Sequence, residues 1–113
     1  MKTYTGATGY VYQYYFVGKR PAPPPESPGI EFIFDVTADR KTTFATSVFL
    51  KPDALSTWST AHGRELTETE QYAAAKMRLL RAFDEIEHMI ENGRRLSIDR
   101  ENIAELLEPL GLG

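Results

Sequence analysis

The chain contains no cysteine, two histidines and a single tryptophan among 113 residues. Without cysteine there is no disulfide framework, thiolate nucleophile or Cys-based zinc site, which fits a reducing compartment. No stretch approaches the roughly 18 consecutive apolar residues that a membrane span requires. Met1 to Gly9 holds one Lys and no apolar run, so it does not read as a signal peptide. The expected address is therefore the cytoplasm. Basic residues are outnumbered, 13 against 16 acidic, for a net charge of −3. That balance disfavours nucleic acid, whose binding draws most of its affinity from Lys and Arg on phosphates, and it argues against an anionic membrane surface.

The catalytic repertoire is equally sparse. No Ser stands in a Gly-x-Ser-x-Gly elbow, and Thr5-Gly6-Ala7-Thr8-Gly9, a loose fragment of a phosphate loop, lacks the Gly-Lys-Ser/Thr ending and leads into a strand. Glu85-Ile86-Glu87-His88 has the Glu-x-x-His spacing of di-metal bundles in one copy where two are needed. Asp84, Glu85, Glu87 and Glu91 fall on the hydrated side of a helix, and His62 before Gly63 suits a helix C-terminus better than a catalytic base. The expectation is no enzyme, no metal and no cofactor.

What is present is enough for one core. The length matches a single domain, residues 1–113, that buries roughly two-thirds of the surface its unfolded chain exposes. Hydrophobic content of 42% and charged content of 26% are ordinary globular values.

Tyr10 to Val17 is dense in β-branched and aromatic residues between Gly9 and Gly18, a strand signal. Alternation puts Tyr10, Tyr12, Tyr14 and Phe16 on one face and Val11, Gln13, Tyr15 and Val17 on the other. Five prolines within 21–28 then predict an exposed, flexible loop over about 19–29. Its Pro-x-x-Pro spacings beside Lys19-Arg20 are too short and common to imply a polyproline-binding partner. Ile30 to Val36 and Thr43 to Leu50 alternate cleanly around a polar turn, a hairpin.

Asp53 is expected to cap a short helix through Trp58, stopped by Gly63. Thr67 and Glu70 have capping-box spacing, opening a long helix from Glu68 to about Asn92 with Gly93 in the left-handed position. Its apolar stripe is Tyr72, Leu79, Phe83, Ile86 and Ile90, widened by Ala75, Leu80, Ala82 and Met89; Arg78, Arg81 and the carboxylates face away. Leu96-Ser97-Ile98 reads as a short extended piece, and Asp99 caps a final helix sharing Ile103, Leu106 and Leu107 on one face.

The sum is an α+β fold: a three-stranded antiparallel sheet on one long amphipathic helix, with a short helix before it and a short C-terminal helix. One long helix shields one face of such a sheet, which leaves an apolar face in search of cover. Three functions follow from that count. The first is a small protein-interaction module, homodimeric through the sheet, with Tyr10, Tyr12, Tyr14, Phe16 and Tyr15 at the interface and segment 96–113 docking in cis, on the dimer or on a protein partner. The second is a single-stranded nucleic-acid binder that stacks bases on the same rings. The third is a small-molecule pocket between sheet and helix, gated by Trp58.

Overall fold

Alternation between apolar and polar residues sets up the sheet, and helical periodicity after Pro52 sets up the layer that covers it. A computed structural model describes residues 1–113. In chain order the elements are β1 (Lys2–Thr5), β2 (Val11–Pro21), β3 (Ile30–Thr37), β4 (Phe44–Leu50), α1 (Pro52–His62), α2 (Glu68–Glu85), α3 (Met89–Asn92), β5 (Arg95–Ile98) and α4 (Ile103–Leu107), with a 3-10 turn over Glu108–Leu110.

The class is α+β, but the sheet has five strands, not three. Their order is β1-β2-β3-β4-β5. The first four form an antiparallel meander, and β5 joins β4 in parallel after the helices. Of the two additional strands, each four residues long, β5 contains the extended piece expected at Leu96-Ser97-Ile98, whereas β1 was not expected. The hairpin joining β1 to β2 uses Ala7, Thr8 and Gly9, with Gly9 left-handed at φ 95° and the Gly6 N–H donating to the Tyr10 carbonyl at 2.9 Å. That is the three-residue loop with a glycine bulge common in hairpins.

Register carries the core across the sheet in rows. Tyr14, Val36 and Phe44 align, then Phe34 and Thr46, then Phe32, Val48 and Leu96, then Ile30, Leu50 and Ile98. Nearly all of these are buried beneath α2 and α4. On α2 the buried positions are Ala74, Ala75, Leu79, Ala82 and Phe83. Three alanines let the helix lie close to the strands, and Phe83 fills the space at its end.

The long helix stops at Glu85 instead of near Asn92, because Ile86 turns extended (φ −110°, ψ 117°). No Gly or Pro marks this stop. Asp84, Glu85 and Glu87 crowd carboxylates onto the negative end of the helix dipole, which disfavours continuation. The β1–β2 hairpin then takes over the freed groups. Asp84 accepts both the Tyr4 hydroxyl (2.9 and 3.0 Å) and the Ala7 N–H (2.9 Å), and the Thr8 hydroxyl reaches the Phe83 carbonyl at 3.4 Å. Asp84 is thus a hairpin anchor and not merely hydrated. Gly93, placed by pattern in a left-handed cap, has φ −122° after the short α3, and Ile90 is exposed.

The capping box opens α2 as expected, with Thr67 accepting from the Glu70 N–H and Glu70 accepting from the Thr67 N–H. The Arg64 guanidinium grips the same carboxylate in a fork, both arms at 2.8 Å. Arg64 and the Thr67 N–H together hold the Glu70 carboxyl down from 4.5 to about 2. A carboxyl whose folded pKa is depressed stabilises the fold above pH 4.5 and loses that contribution as pH falls toward 2. Glu70→Gln is therefore expected to flatten the acid limb of a stability–pH profile between those values; an unchanged limb would show that the fork contributes nothing.

Two smaller expectations are corrected nearby. α1 begins at Pro52 with Lys51 at the cap, so Asp53 sits in the first turn instead of capping it, while the helix passes Trp58 and is stopped by left-handed Gly63 as expected. The proline segment is shorter than expected: β2 continues to Pro21, where the free edge needs no N–H, and the loop after it is closed by the Ala22 N–H on the Gly29 carbonyl.

Candidate functional site

Backbone parity decides where the aromatic row of β2 points. Tyr12 and Tyr14 face α2 and are 2% and 4% exposed. Tyr12 stacks on Phe83 with centroids 4.2 Å apart and planes 7° from parallel, and Phe16 meets Tyr72 edge-on at 4.9 Å. The row Tyr10, Tyr12, Tyr14 and Phe16 is thus chiefly core, with only Tyr10 and Phe16 reaching solvent. Bases cannot stack on Tyr12 or Tyr14, and neither ring can serve as an interface.

Tyr15, on the opposite face, is where the uncovered surface lies. The far side of the sheet presents Thr3 and Gln13, then Tyr15, Asp35 and Ala45, then Gly18, Ile33, Ser47 and Arg95, then Arg20, Glu31, Phe49 and Ser97. No helix covers it, and its two ends differ. At the β5 end, Phe49 is buried under the Arg95 guanidinium, 4.9 Å from the ring centroid, and Arg95 pairs with Glu26 of the proline loop at 2.5 Å. The Glu31 carboxylate there accepts from Ser47 (2.5 Å) and Arg20 (2.7 Å). Burial pushes its pKa up, but these two donors outweigh that and leave it lowered. This corner is closed by its own chain.

The β2 end is open. Val11, Tyr15 and Val17 are 45%, 44% and 51% exposed, with half-buried Ile33 beside them. The Tyr15 hydroxyl donates to Asp35 at 2.7 Å, which raises the phenol pKa and fixes the ring against the sheet. Val17 is the residue at which the β2–β3 register shifts, so a bulge lifts it out of the ladder.

The margin of β2 is a second open feature. β1 pairs only with Val11–Tyr14, leaving Tyr15–Pro21 without a neighbour on that side. This stretch carries the bulge at Val17, then Lys19 and Pro21, the devices that blunt exposed strand edges. The edge is guarded and the face is not.

Other expected site residues fall elsewhere. Trp58 gates no cavity between sheet and long helix: it is buried on α1, stacked on His62 at 4.1 Å, and its indole N–H donates to the Leu112 carbonyl at 2.7 Å. His62 completes the clasp, Nδ1 to the Trp58 carbonyl and Nε2 to the Gly113 carbonyl. Segment 96–113 lies in cis, with Ile98, Ile103, Leu106 and Leu107 in the core. Asp99 turns it by accepting from the Glu101 and Asn102 N–H groups.

Arg78, expected on the hydrated side, is half-buried; its Nε donates to the Ser97 carbonyl at 3.1 Å and burial lowers its pKa. The helix break at Ile86 separates Glu85 from His88, so the Glu-x-x-His spacing never reaches one helical face. No three His, Asp or Glu side chains converge as a metal site would need.

Compared with known protein families, curated proteins and solved structures, the chain matches none.

Proposed function

We propose that this is a small, non-enzymatic protein-interaction module that self-associates through the open face of its sheet. The supporting observation is the unshielded apolar group Val11, Tyr15 and Val17 on β2, bordered by Ile33. Contiguous apolar surface on a small domain is usually an interface, and a two-fold pair of copies is its commonest cover. The blunted margin of β2 directs the contact to the face instead of to strand-by-strand extension of the sheet. Tyr15, held by Asp35, is a preordered aromatic anchor of the kind that dominates interface energetics.

Sedimentation equilibrium tests this reading. The expected mass is about twice the 12.8 kDa of one chain. Val17→Lys together with Val11→Lys should return the protein to one copy while its thermal midpoint changes little, because both side chains are exposed. A wild-type protein that stays monomeric at high concentration, or a dimer indifferent to both lysines, overturns the proposal.

A further inference from the structure

One large apolar side chain on the far face of the sheet is buried although no helix lies above it. Phe49 is covered, whereas Val11, Tyr15 and Val17 on the same face stand open.

The cover is a strap made from two distant segments. Arg95, at the start of β5, lays its guanidinium 4.9 Å from the centroid of the Phe49 ring. Glu26, in the middle of the proline loop, holds that guanidinium at 2.5 Å. The loop is folded to present this carboxylate: the Ala22 N–H on the Gly29 carbonyl closes its mouth, and the Glu26 N–H donates to the Pro23 carbonyl at 3.0 Å. Among residues 23–28, Glu26 alone is not exposed.

The strap is loosely held. The Arg95 side chain keeps 61% of its surface in water, and an ion pair that wet contributes little to stability. Glu31 cannot replace Glu26, because it already accepts from Arg20 on Oε1 and from Ser47 on Oε2. The Arg95 backbone stays paired with Ser47 in the ladder, so its side chain can lift without any change in the sheet.

Lifting it would enlarge the open face. Ile33 pairs with Ser47 and Glu31 with Phe49, which makes Ile33 and Phe49 diagonal neighbours on one face, about 7–8 Å apart. Ile33 already borders the bulge at Val17 through its pairing with Gly18. The apolar group Val11, Tyr15, Val17 and Ile33 would thereby gain an aromatic ring at its end, and aromatic side chains dominate interface energetics.

We propose that Glu26 and Arg95 form an autoinhibitory strap, which withholds Phe49 from the contact face and weakens the pairing of two copies until it lifts. This rests on self-association through the open face, as proposed above.

Two substitutions open the strap from opposite sides. Arg95→Ala removes the cover and Glu26→Gln removes its anchor. They change the net charge in opposite directions, so an effect shared by both cannot come from repulsion between copies. Sedimentation equilibrium should show tighter pairing in each, by about 3- to 10-fold for Arg95→Ala and about 2- to 5-fold for Glu26→Gln. The covering itself is read separately in the Val11→Lys/Val17→Lys protein, whose copies stay apart. There each opening substitution should increase the relaxation of the Phe49 ring protons by a soluble paramagnetic probe.

Pairing no tighter than wild type in either variant overturns the proposal, as does a Phe49 ring that is no more accessible once the strap is removed. A protein that stays monomeric even with the strap open removes self-association and its regulation together, whereas equal, finite constants remove the regulation alone.

Discussion

Phe83→Ala is expected to destabilise the protein by about 3–5 kcal/mol. Phe83 is wholly buried and is the hub of an aromatic cluster, stacked on Tyr12 at 4.2 Å and tilted against Tyr14 at 5.9 Å and Tyr4 at 6.0 Å. Truncation removes one ring and leaves three without their common partner. The surrounding tyrosines are fixed by strand register, so the cavity cannot collapse onto Ala. Denaturant unfolding measures this directly. A loss under about 1 kcal/mol would mean the cluster repacks freely and the end of α2 is not a structural hub. A cycle pairing Phe83→Leu with Tyr12→Leu should reveal a coupling of about 0.5–1.5 kcal/mol from the stack itself.

The second large effect is expected at Gly6. A Cβ there would stand 2.4 Å from the Phe83 carbonyl oxygen and 3.0 Å from its carbonyl carbon. These are backbone atoms at the end of α2 and cannot swing aside. Gly6→Ala should therefore push the β1–β2 hairpin off the helix end, straining the Asp84 contacts to Tyr4 and Ala7. The expected loss is about 1–3 kcal/mol, and hydrogen exchange should show it as selective opening of β1. Gly9→Ala offers a contrast: nothing lies within 4 Å of its Cβ, and only the left-handed backbone at φ 95° resists it. If the two substitutions cost the same, close packing of hairpin on helix is not what Gly6 provides.

These positions also show what pattern reading can reach. The β3–β4 hairpin, the capping box at Thr67 and Glu70 and the buried stripe of α2 were legible because each follows a local period or a spacing rule. The break at Ile86 was not, since it depends on a hairpin 80 residues away whose Tyr4 and Thr8 satisfy the helix end. β1 was overlooked although Thr3-Tyr4-Thr5 before Gly6-Ala7-Thr8-Gly9 is a strand followed by turn residues.

The candidate site was legible by half. Alternation correctly separated the two faces of β2, and the helix was expected to cover only one. Which one it covers depends on register with β3 and β4, and that assignment sent Tyr12 and Tyr14 inward. The closed corner at Phe49 was invisible for a different reason. It requires Arg95 of a parallel strand and Glu26 of the proline loop to meet over one ring, a long-range arrangement with no local trace.

The most direct examination of the open face is methyl NMR with a soluble paramagnetic probe, recorded over a range of protein concentrations. Val11, Val17 and Ile33 methyls should relax strongly when dilute and become shielded as concentration rises, while exposed Ile90 on the other side stays accessible throughout. Methyls of Val11, Val17 and Ile33 that remain equally accessible at every concentration would contradict the account.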